Sequence, residues 1–321
     1  MTAPTNTVTS ATPNVGVRED LEDTIYRVAP EETPFTSNIG TTKASNIFHE
    51  WQTETLAAAS ATNAQLEGDD YTLGSPNLTT RLGNYVQIVA KAGGVSRTQE
   101  IVDKAGRASE LARQKVLKTI EMKRDFEIRV VGNFASVAES GATTRKTAGI
   151  LAFLTSNTSK GAGGSDGGFS TGIVAAATNG TQRTFTEAIL KSVLSTTFTN
   201  AGAGNLPTQL YMGPSTKQTF STFTGIADIR ADVSGGSQAT IYGAAEVYVS
   251  DFGKLTAIPH AYGLTRDVVG VNPKMAKVAT LDGLKSKDLA SSGDNMKFLL
   301  TMEKGLVVAN EKAHFAIRDL S

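Results

Sequence analysis

Ser165 is the first residue to test for chemistry. Gly163-Gly164-Ser165-Asp166-Gly167 has G-x-S-x-G spacing, the pattern of a nucleophile elbow in which a strand and a helix expose a serine on a strained turn. Its flanks, Lys160-Gly161-Ala162 and Gly168-Phe169-Ser170, form loop on both sides. The spacing therefore reads as a flexible loop, with a serine hydrolase built on Ser165 as the minor reading. Gly68-Asp69-Asp70 offers two carboxylates, but a hard cation needs more oxygen ligands than that. No other acidic cluster has metal spacing, so the pair reads as a solvated turn. His49, His260 and His314 are far apart, with no H-x-x-x-H pair on any helix. Neither a G-x-x-x-x-G-K-[ST] phosphate loop nor a G-x-G-x-x-G turn between strand and helix occurs. Absence of Cys excludes thiolate ligands, cysteine nucleophiles and disulfides. We therefore expect no catalytic, cofactor-binding or metal-binding residues, and a protein that is not an enzyme.

What those residues leave is a large chain whose elements must serve something other than a site. Its 321 residues suit about two domain-sized units. Only 19% are charged, below the usual level of about 25%. Lys plus Arg number 31 and Asp plus Glu number 31, so the neutral, lightly charged surface has little to keep copies apart. No basic start followed by an apolar run marks a signal peptide, and no run of about 20 apolar residues marks a membrane span. Folding in a reducing cytoplasm, with no membrane partner, is the expectation.

Along the chain, residues 1–17 read as an extended polar arm. From Arg18 to Glu32 acids dominate (Glu19, Asp20, Glu22, Asp23, Glu31 and Glu32), while Leu21, Ile25 and Val28 recur at i, i+4 and i+7. That pattern predicts a short amphipathic helix, ended by Pro30 and Pro34. Residues 46–56 and 79–91 read as strands of a long hairpin. In the second, Leu82, Val86, Ile88 and Ala90 share one face, with Asn84 and Val89 breaking the alternation. Ala57 to Leu78 between them holds too little apolar content for a core, so the ribbon must lie against something else.

Ser96-Arg97-Thr98-Gln99 is a capping box, and the helix it opens extends to about Phe134. Ile101, Ala105, Ala108, Ala112, Val116, Phe126, Val130 and Phe134 form its apolar stripe, and Gly106 weakens it locally. Thr155 to Gly172 reads as a mobile Gly and Ser loop. Thr184-Phe185-Thr186-Glu187 is a second capping box, opening a helix closed by Asn200-Ala201-Gly202. Strands are expected at 206–212, 246–252 and 267–271 and around Phe298–Met302, with a helix near Pro214. The class is α+β.

A long ribbon, a long helix, an extended arm and a neutral surface share one explanation: they complete their packing on other copies of the chain. Arg18-Glu19-Asp20-Leu21 through Thr33-Pro34-Phe35-Thr36-Ser37-Asn38-Ile39-Gly40 resembles the N-terminal signature of tailed-phage major capsid proteins of the SU-ten type. His49-Glu50-Trp51-Gln52-Thr53-Glu54-Thr55-Leu56, Gly149-Ile150-Leu151-Ala152-Phe153-Leu154 and Pro207-Thr208-Gln209-Leu210-Tyr211-Met212-Gly213 continue the likeness in order. So do Ser250-Asp251-Phe252-Gly253 and Asn310-Glu311-Lys312-Ala313-His314. The resemblance implies the Hong Kong 97 fold. It divides the chain into an N-terminal arm (1–40), an extended loop (41–95), a spine helix with the first part of a peripheral domain (96–148), an axial domain (149–255), and strands returning to both (256–321). The implied function is structural: hexamers and pentamers closing an icosahedral head around double-stranded DNA. An encapsulin-like compartment is the runner-up.

The implied partners are further copies of the chain, a portal at one vertex, a separate scaffolding protein and decoration or cement proteins. Expected assembly residues are Phe35, Ile39, Phe48, Trp51, Leu82, Val86 and Ile88. Some family members weld subunits by attack of an extended-loop lysine on an asparagine. Here Asn63, Asn77 and Asn84 are present, but no Lys lies between Lys43 and Lys91, so no such weld is expected. Neutrality itself is a cancellation. Residues 1–96 hold 5 basic and 11 acidic groups, while residues 97–321 hold 26 and 20. An acidic arm and ribbon set against a basic body favour correct encounter, and the body's excess allows weak, sequence-independent contact with packaged DNA.

Overall fold

The computed structural model describes residues 32–68, 70, 74–103, 106–223 and 247–321. The expected helix at Arg18–Glu32 falls almost wholly outside them, as does Asp69. The described chain starts on a short helix, α1 (Pro34–Asn38), with Pro34 in the first turn, where its missing N–H costs nothing. β1 (Gly40–Lys43) follows, then β2 (Phe48–Thr53), β3 (Thr80–Tyr85) and β4 (Gln87–Ser96). Ser96 caps α2 (Arg97–Ile101), its hydroxyl accepting from the Gln99 N–H at 3.2 Å. Next come the spine, α3 (Glu110–Val131), and the single turn α4 (Ile150–Phe153).

Three short strands, β5 (Thr158–Ser159), β6 (Gly168–Ser170) and β7 (Ile173–Ala175), lead to α5 (Glu187–Ala201), which Gly202 ends at φ +72°. That left-handed backbone is tolerated by Gly. The rest is β8 (Gln209–Met212), α6 (Pro214–Phe220), β9 (Val247–Ser250), β10 (Gly253–Pro259), β11 (Val268–Val271), β12 (Ala276–Leu289), β13 (Asn295–Val308) and β14 (Phe315–Ile317).

Two sheets organise these elements. One has the order β1-β12-β13-β4, with β1 parallel to β12 and the other pairs antiparallel. α3 lies on it, and Met122, Phe126 and Val130 share a core with Val278, Phe298, Leu300 and Met302. The other has the order β5-β14-β11-β8-β10-β9. There Leu190, Val193 and Leu194 of α5 and Phe220 of α6 pack with Leu210, Met212, Tyr248, Leu255 and Phe315. Helices and strands segregate rather than alternate, so the fold is α+β, as expected.

Four expectations change. The helix from Ser96 is not continuous: α2 ends at Ile101, Gly106 sits at φ +71°, and Ser109 caps α3. The Glu100 carboxylate bridges the break, accepting from the Glu110 and Leu111 N–H groups at 3.0 and 3.2 Å, where the helix dipole favours an anion. The spine is thus about 33 Å long, shorter than an unbroken helix from Ser96 to Phe134. Its apolar stripe is buried only in the second half, and Val116 is 54% exposed.

The strand at 79–91 is two strands. At Val86, whose N–H donates to the Ile47 carbonyl at 2.8 Å, the chain leaves β3 and enters the four-stranded sheet as β4. The alternation inverts there: Val86 and Val89 are buried and Ile88 is 47% exposed. The loop at Thr155–Gly172 contains β5 and β6 and is anchored to distant parts of the chain. The helix cap at 184–187 is Thr186, not Thr184.

Candidate assembly surface

The ribbon β2–β3 pairs from Phe48 opposite Tyr85 to Thr53 opposite Thr80. Its root is locked onto the body. The Phe48 and Tyr85 rings lie 4.7 Å apart, and Gly83 leaves room for Phe48, since a Cβ there would come within 2.4 Å of the ring. Trp51 reaches Phe153 at 6.1 Å between rings. Asn84, which breaks the sequence alternation, is the buried knot. Its amide donates to Thr147 Oγ1 at 3.0 Å and the Leu306 carbonyl at 2.8 Å, and accepts from the Ala148 N–H at 2.9 Å. Beyond Thr53 and Thr80 the ribbon has no such support. Every described residue from 54 to 79 is exposed, including Leu56 (91%), Leu66 (76%) and Leu78 (82%).

The arm enters the body at α1. Glu127, fully buried on α3, accepts from the Phe35 N–H at 2.7 Å and the Thr36 N–H at 3.0 Å, so it caps α1 from another element. His260 Nε2 lies 3.0 Å from the same carboxylate. Phe35 meets Tyr211 edge-on at 5.5 Å, and Asn38 donates to the Tyr211 hydroxyl at 3.1 Å. Burial pushes that phenol up to about 12.

These contacts sort the expected assembly residues. Phe35, Ile39 and Val86 are buried in the chain's own core and present no side-chain surface to a neighbour. Phe48, Trp51 and Leu82 are half-buried at the ribbon root, and Ile88 is exposed. The leucines of the loop carry more free apolar surface than any of these. They lie between residues too polar to form a periodic pattern, which is why sequence reading passed over them.

Ser165 is not on an elbow. Its N–H and carbonyl pair with Thr178 at 3.1 and 2.9 Å in an isolated bridge. The surrounding loop is held by Asp319, whose carboxylate accepts from the Gly161 and Gly180 N–H groups and from Arg266, at 3.0, 2.8 and 3.0 Å. The buried histidines are engaged elsewhere: His260 with Glu127, and His314 through Nδ1 with the Asn272 N–H at 3.2 Å. Burial pulls His314 down to about 4. Among the described residues, no helix is long and apolar enough to cross a membrane.

A ribbon rooted on α4, the Thr147–Ala148 segment and β13, an arm clamped at its base and two flanking sheets define a fold with exposed extensions. The model of the family described as SU10 major capsid protein matches residues 3–321. The chain belongs to that family. This capsid protein is 33% identical over 112 residues to the major capsid protein of Escherichia phage Phieco32, a stretch covering 35% of this chain and 32% of the relative. The match thus spans about a third of the relative's length.

Among solved structures, the capsid of cyanophage A-1(L) superposes with a TM-score of 0.65 at 12% identity, covering 98% of this chain and 99% of the other. The capsid of a native GTA particle gives 0.63 at 12%, covering 99% and 100%. A phage G structure of major capsid and decoration proteins gives 0.54 at 12%, covering 98% and 100%. The fold is therefore the Hong Kong 97-type capsid fold. As a major capsid protein the chain is structural rather than catalytic, and its place is the shell of a phage particle.

Proposed function

We propose that copies of this capsid protein assemble as hexamers and pentamers of an icosahedral head enclosing double-stranded DNA. The observation that carries this reading is the exposed stretch 54–79 on a firmly anchored ribbon. Three leucines in water gain nothing within their own chain, and burying them on a neighbour is worth roughly 1.5–3 kcal/mol each. Repetition over many copies turns modest contacts into a closed shell.

In this reading the ribbon and stretch 54–79 are the extended loop. α3 with the four-stranded sheet is the peripheral domain, and the six-stranded sheet with α5 and α6 is the axial domain. Phe48, Trp51, Leu82 and Ile88 flank the loop contact. The portal, a separate scaffolding protein and decoration proteins complete the particle, in the host cytoplasm where it assembles. The basic excess of residues 97–321 supports weak phosphate contact with DNA.

Deleting residues 57–78 tests the proposal. The shortened chain is expected to keep its thermal transition yet fail to form closed particles by negative-stain microscopy; normal particles would sink it. Cargo separates DNA packaging from an encapsulin-like shell: nuclease-protected DNA supports the former, a docked protein the latter. Mature particles are expected to run as single chains on denaturing gels. Asn84 is sequestered by its four-way bonding, and the ribbon lacks lysine. Covalent ladders would refute this.

A further inference from the structure

A hollow of about 160 Å³ opens where α1, β1 and α3 meet the four-stranded sheet. Phe126, Val278 and Met302, all buried, form its floor. Thr33, Thr36, Thr41, Lys123 and Lys304 form its polar wall. Its volume is well above the roughly 10–15 Å³ that one water needs, so it admits a small polyatomic ion.

Local periodicity brings these residues together. Lys123 and Phe126 lie three apart on α3 and share a face. Residues two apart in a strand share a face as well, which relates Lys304 to Met302 on β13 and Lys43 to Thr41 on β1. Pairing then sets Lys43, Thr280 and Lys304 in one row across β1, β12 and β13. A third lysine, Lys43, therefore stands on the same face, in the row that contains Lys304.

These cations are uncompensated. Lys43, Lys123 and Lys304 form no ion pair with any acid among the described residues, and no acid lines the hollow. The neighbouring carboxylates are engaged elsewhere. Glu121 and Asp125 meet Lys91 at 3.8 and 2.8 Å, and Glu303 meets Arg145 at 2.7 Å. Glu127 accepts from the Phe35 and Thr36 N–H groups and contacts His260. Glu32, next to Thr33 in the chain, is exposed. Burial, and then the Lys123 charge, hold the Lys304 amine below the ordinary lysine range. An incoming anion relieves that conflict.

Donors without partners complete the set. The Thr36 and Thr41 hydroxyls have no hydrogen bond among the described residues, whereas the Ser37 hydroxyl donates to the Thr33 carbonyl at 2.7 Å. A carboxylate is met best by the planar fork of Arg, while lysines act as point charges with rotatable donors. No Arg lines the hollow. Several ammoniums and hydroxyls around one space suit a phosphate group, which offers more charge and more acceptor oxygens than a carboxylate.

We propose that this hollow is an oxyanion site for a phosphate group, supplied as inorganic phosphate or as a phosphodiester of a nucleic-acid backbone. Lys123 and Lys304 hold its charge, Lys43 adds to it from the rim, and Thr36 and Thr41 donate to its oxygens. All of these residues belong to one chain. The site is therefore testable on unassembled protein, and its failure leaves the capsid reading untouched.

The unassembled full-length chain is treated with an amine-acetylating reagent, and each lysine is read by mass spectrometry. Inorganic phosphate, against chloride at matched ionic strength, is expected to slow acetylation of Lys123 and Lys304 several-fold and to leave Lys254 unchanged. It is also expected to raise the thermal midpoint along a saturating curve. Protection by a short DNA duplex as well would make a backbone phosphate the ligand, and protection by inorganic phosphate alone would make it the free ion; either supports the site. No protection, or equal protection by chloride or by glutamate, would overturn it.

Lys123→Gln with Lys304→Gln removes two like charges. This variant is expected to keep its thermal transition in chloride and to lose the rise caused by phosphate; an undiminished rise would overturn the proposal. Lys43→Gln and Thr41→Val, at exposed positions of the edge strand β1, probe the site without touching the core. Each is expected to weaken phosphate binding several-fold, and unchanged affinity in both would overturn the proposal too.

Discussion

Two loops of similar composition have opposite fates in this protein. Residues 57–78 and 155–181 are both rich in small and polar residues, and the sequence offers no core to either. In the structure the first is exposed throughout its described residues, while the second is anchored at several points. Asp319 receives the Gly161 and Gly180 N–H groups. Asn133 exchanges two bonds with Ala177, at 2.7 and 2.8 Å. The Ser136 hydroxyl accepts from the Val174 N–H at 2.7 Å, and Ser159 pairs with Ile317 of β14. Order in a loop follows from buried acceptors supplied by distant chain, not from the loop's own residues. The stretch without such partners is the one proposed to bury its leucines on another subunit.

The strongest way to break this contrast is Asp319→Ala. It strands two backbone donors and leaves Arg266 without its carboxylate, so a loss on the order of 3 kcal/mol is expected. The loop at 160–181 should then become as sensitive to limited proteolysis as 57–78. Resistance unchanged from wild type would show that the other anchors suffice.

Acidification probes the same C-terminal region with a comparable or smaller effect. His314 sits just before β14, and its folded value near 4 lies below the unfolded value of 6.5. Between those values the unfolded chain binds more protons, so stability is expected to fall as pH drops from about 6.5 towards 4, by up to about 3 kcal/mol. His314→Gln should flatten that slope in thermal unfolding followed across pH, whatever its effect at pH 7. A slope identical to wild type would assign the acid sensitivity to other groups.

The smallest effect on the fold is expected from the free loop. Leu56→Ser, Leu66→Ser and Leu78→Ser together should change unfolding stability by less than about 0.5 kcal/mol, because these side chains are already in water. Particle yield should nevertheless fall sharply. A clear drop in the thermal midpoint of the unassembled chain would mean that the leucines pack on their own body.

Local signals in the chain located most elements. The capping box at Ser96, the Gly that closes α5 and the strands at 209–212, 247–250 and 268–271 all stand where short-range pattern placed them. The continuous spine helix failed because a carboxylate ten residues away, Glu100, offered α3 a new N-terminus once the chain turned near Gly106. The ribbon's face failed because β3 and β4 belong to different sheets, and a change of sheet at Val86 inverts a period-two pattern. Asn84 looked like an interruption of alternation, yet its partners, Thr147 and Leu306, are 63 and 222 residues away.

Taken by itself, the sequence determined that this chain is α+β and divides its charge between an acidic front and a basic body. Those properties depend on composition and near neighbours. Tertiary structure alone decided that Phe35, Ile39 and Val86 belong to the chain's own core, and that one small-residue loop is tied down while another stays free. It also decided that Lys123 and Lys304 line one hollow with no acid among its described lining residues. Each of these turns on a partner tens to hundreds of residues away, and burial or charge pairing at such separations is set only when the sheets and the spine close on one another.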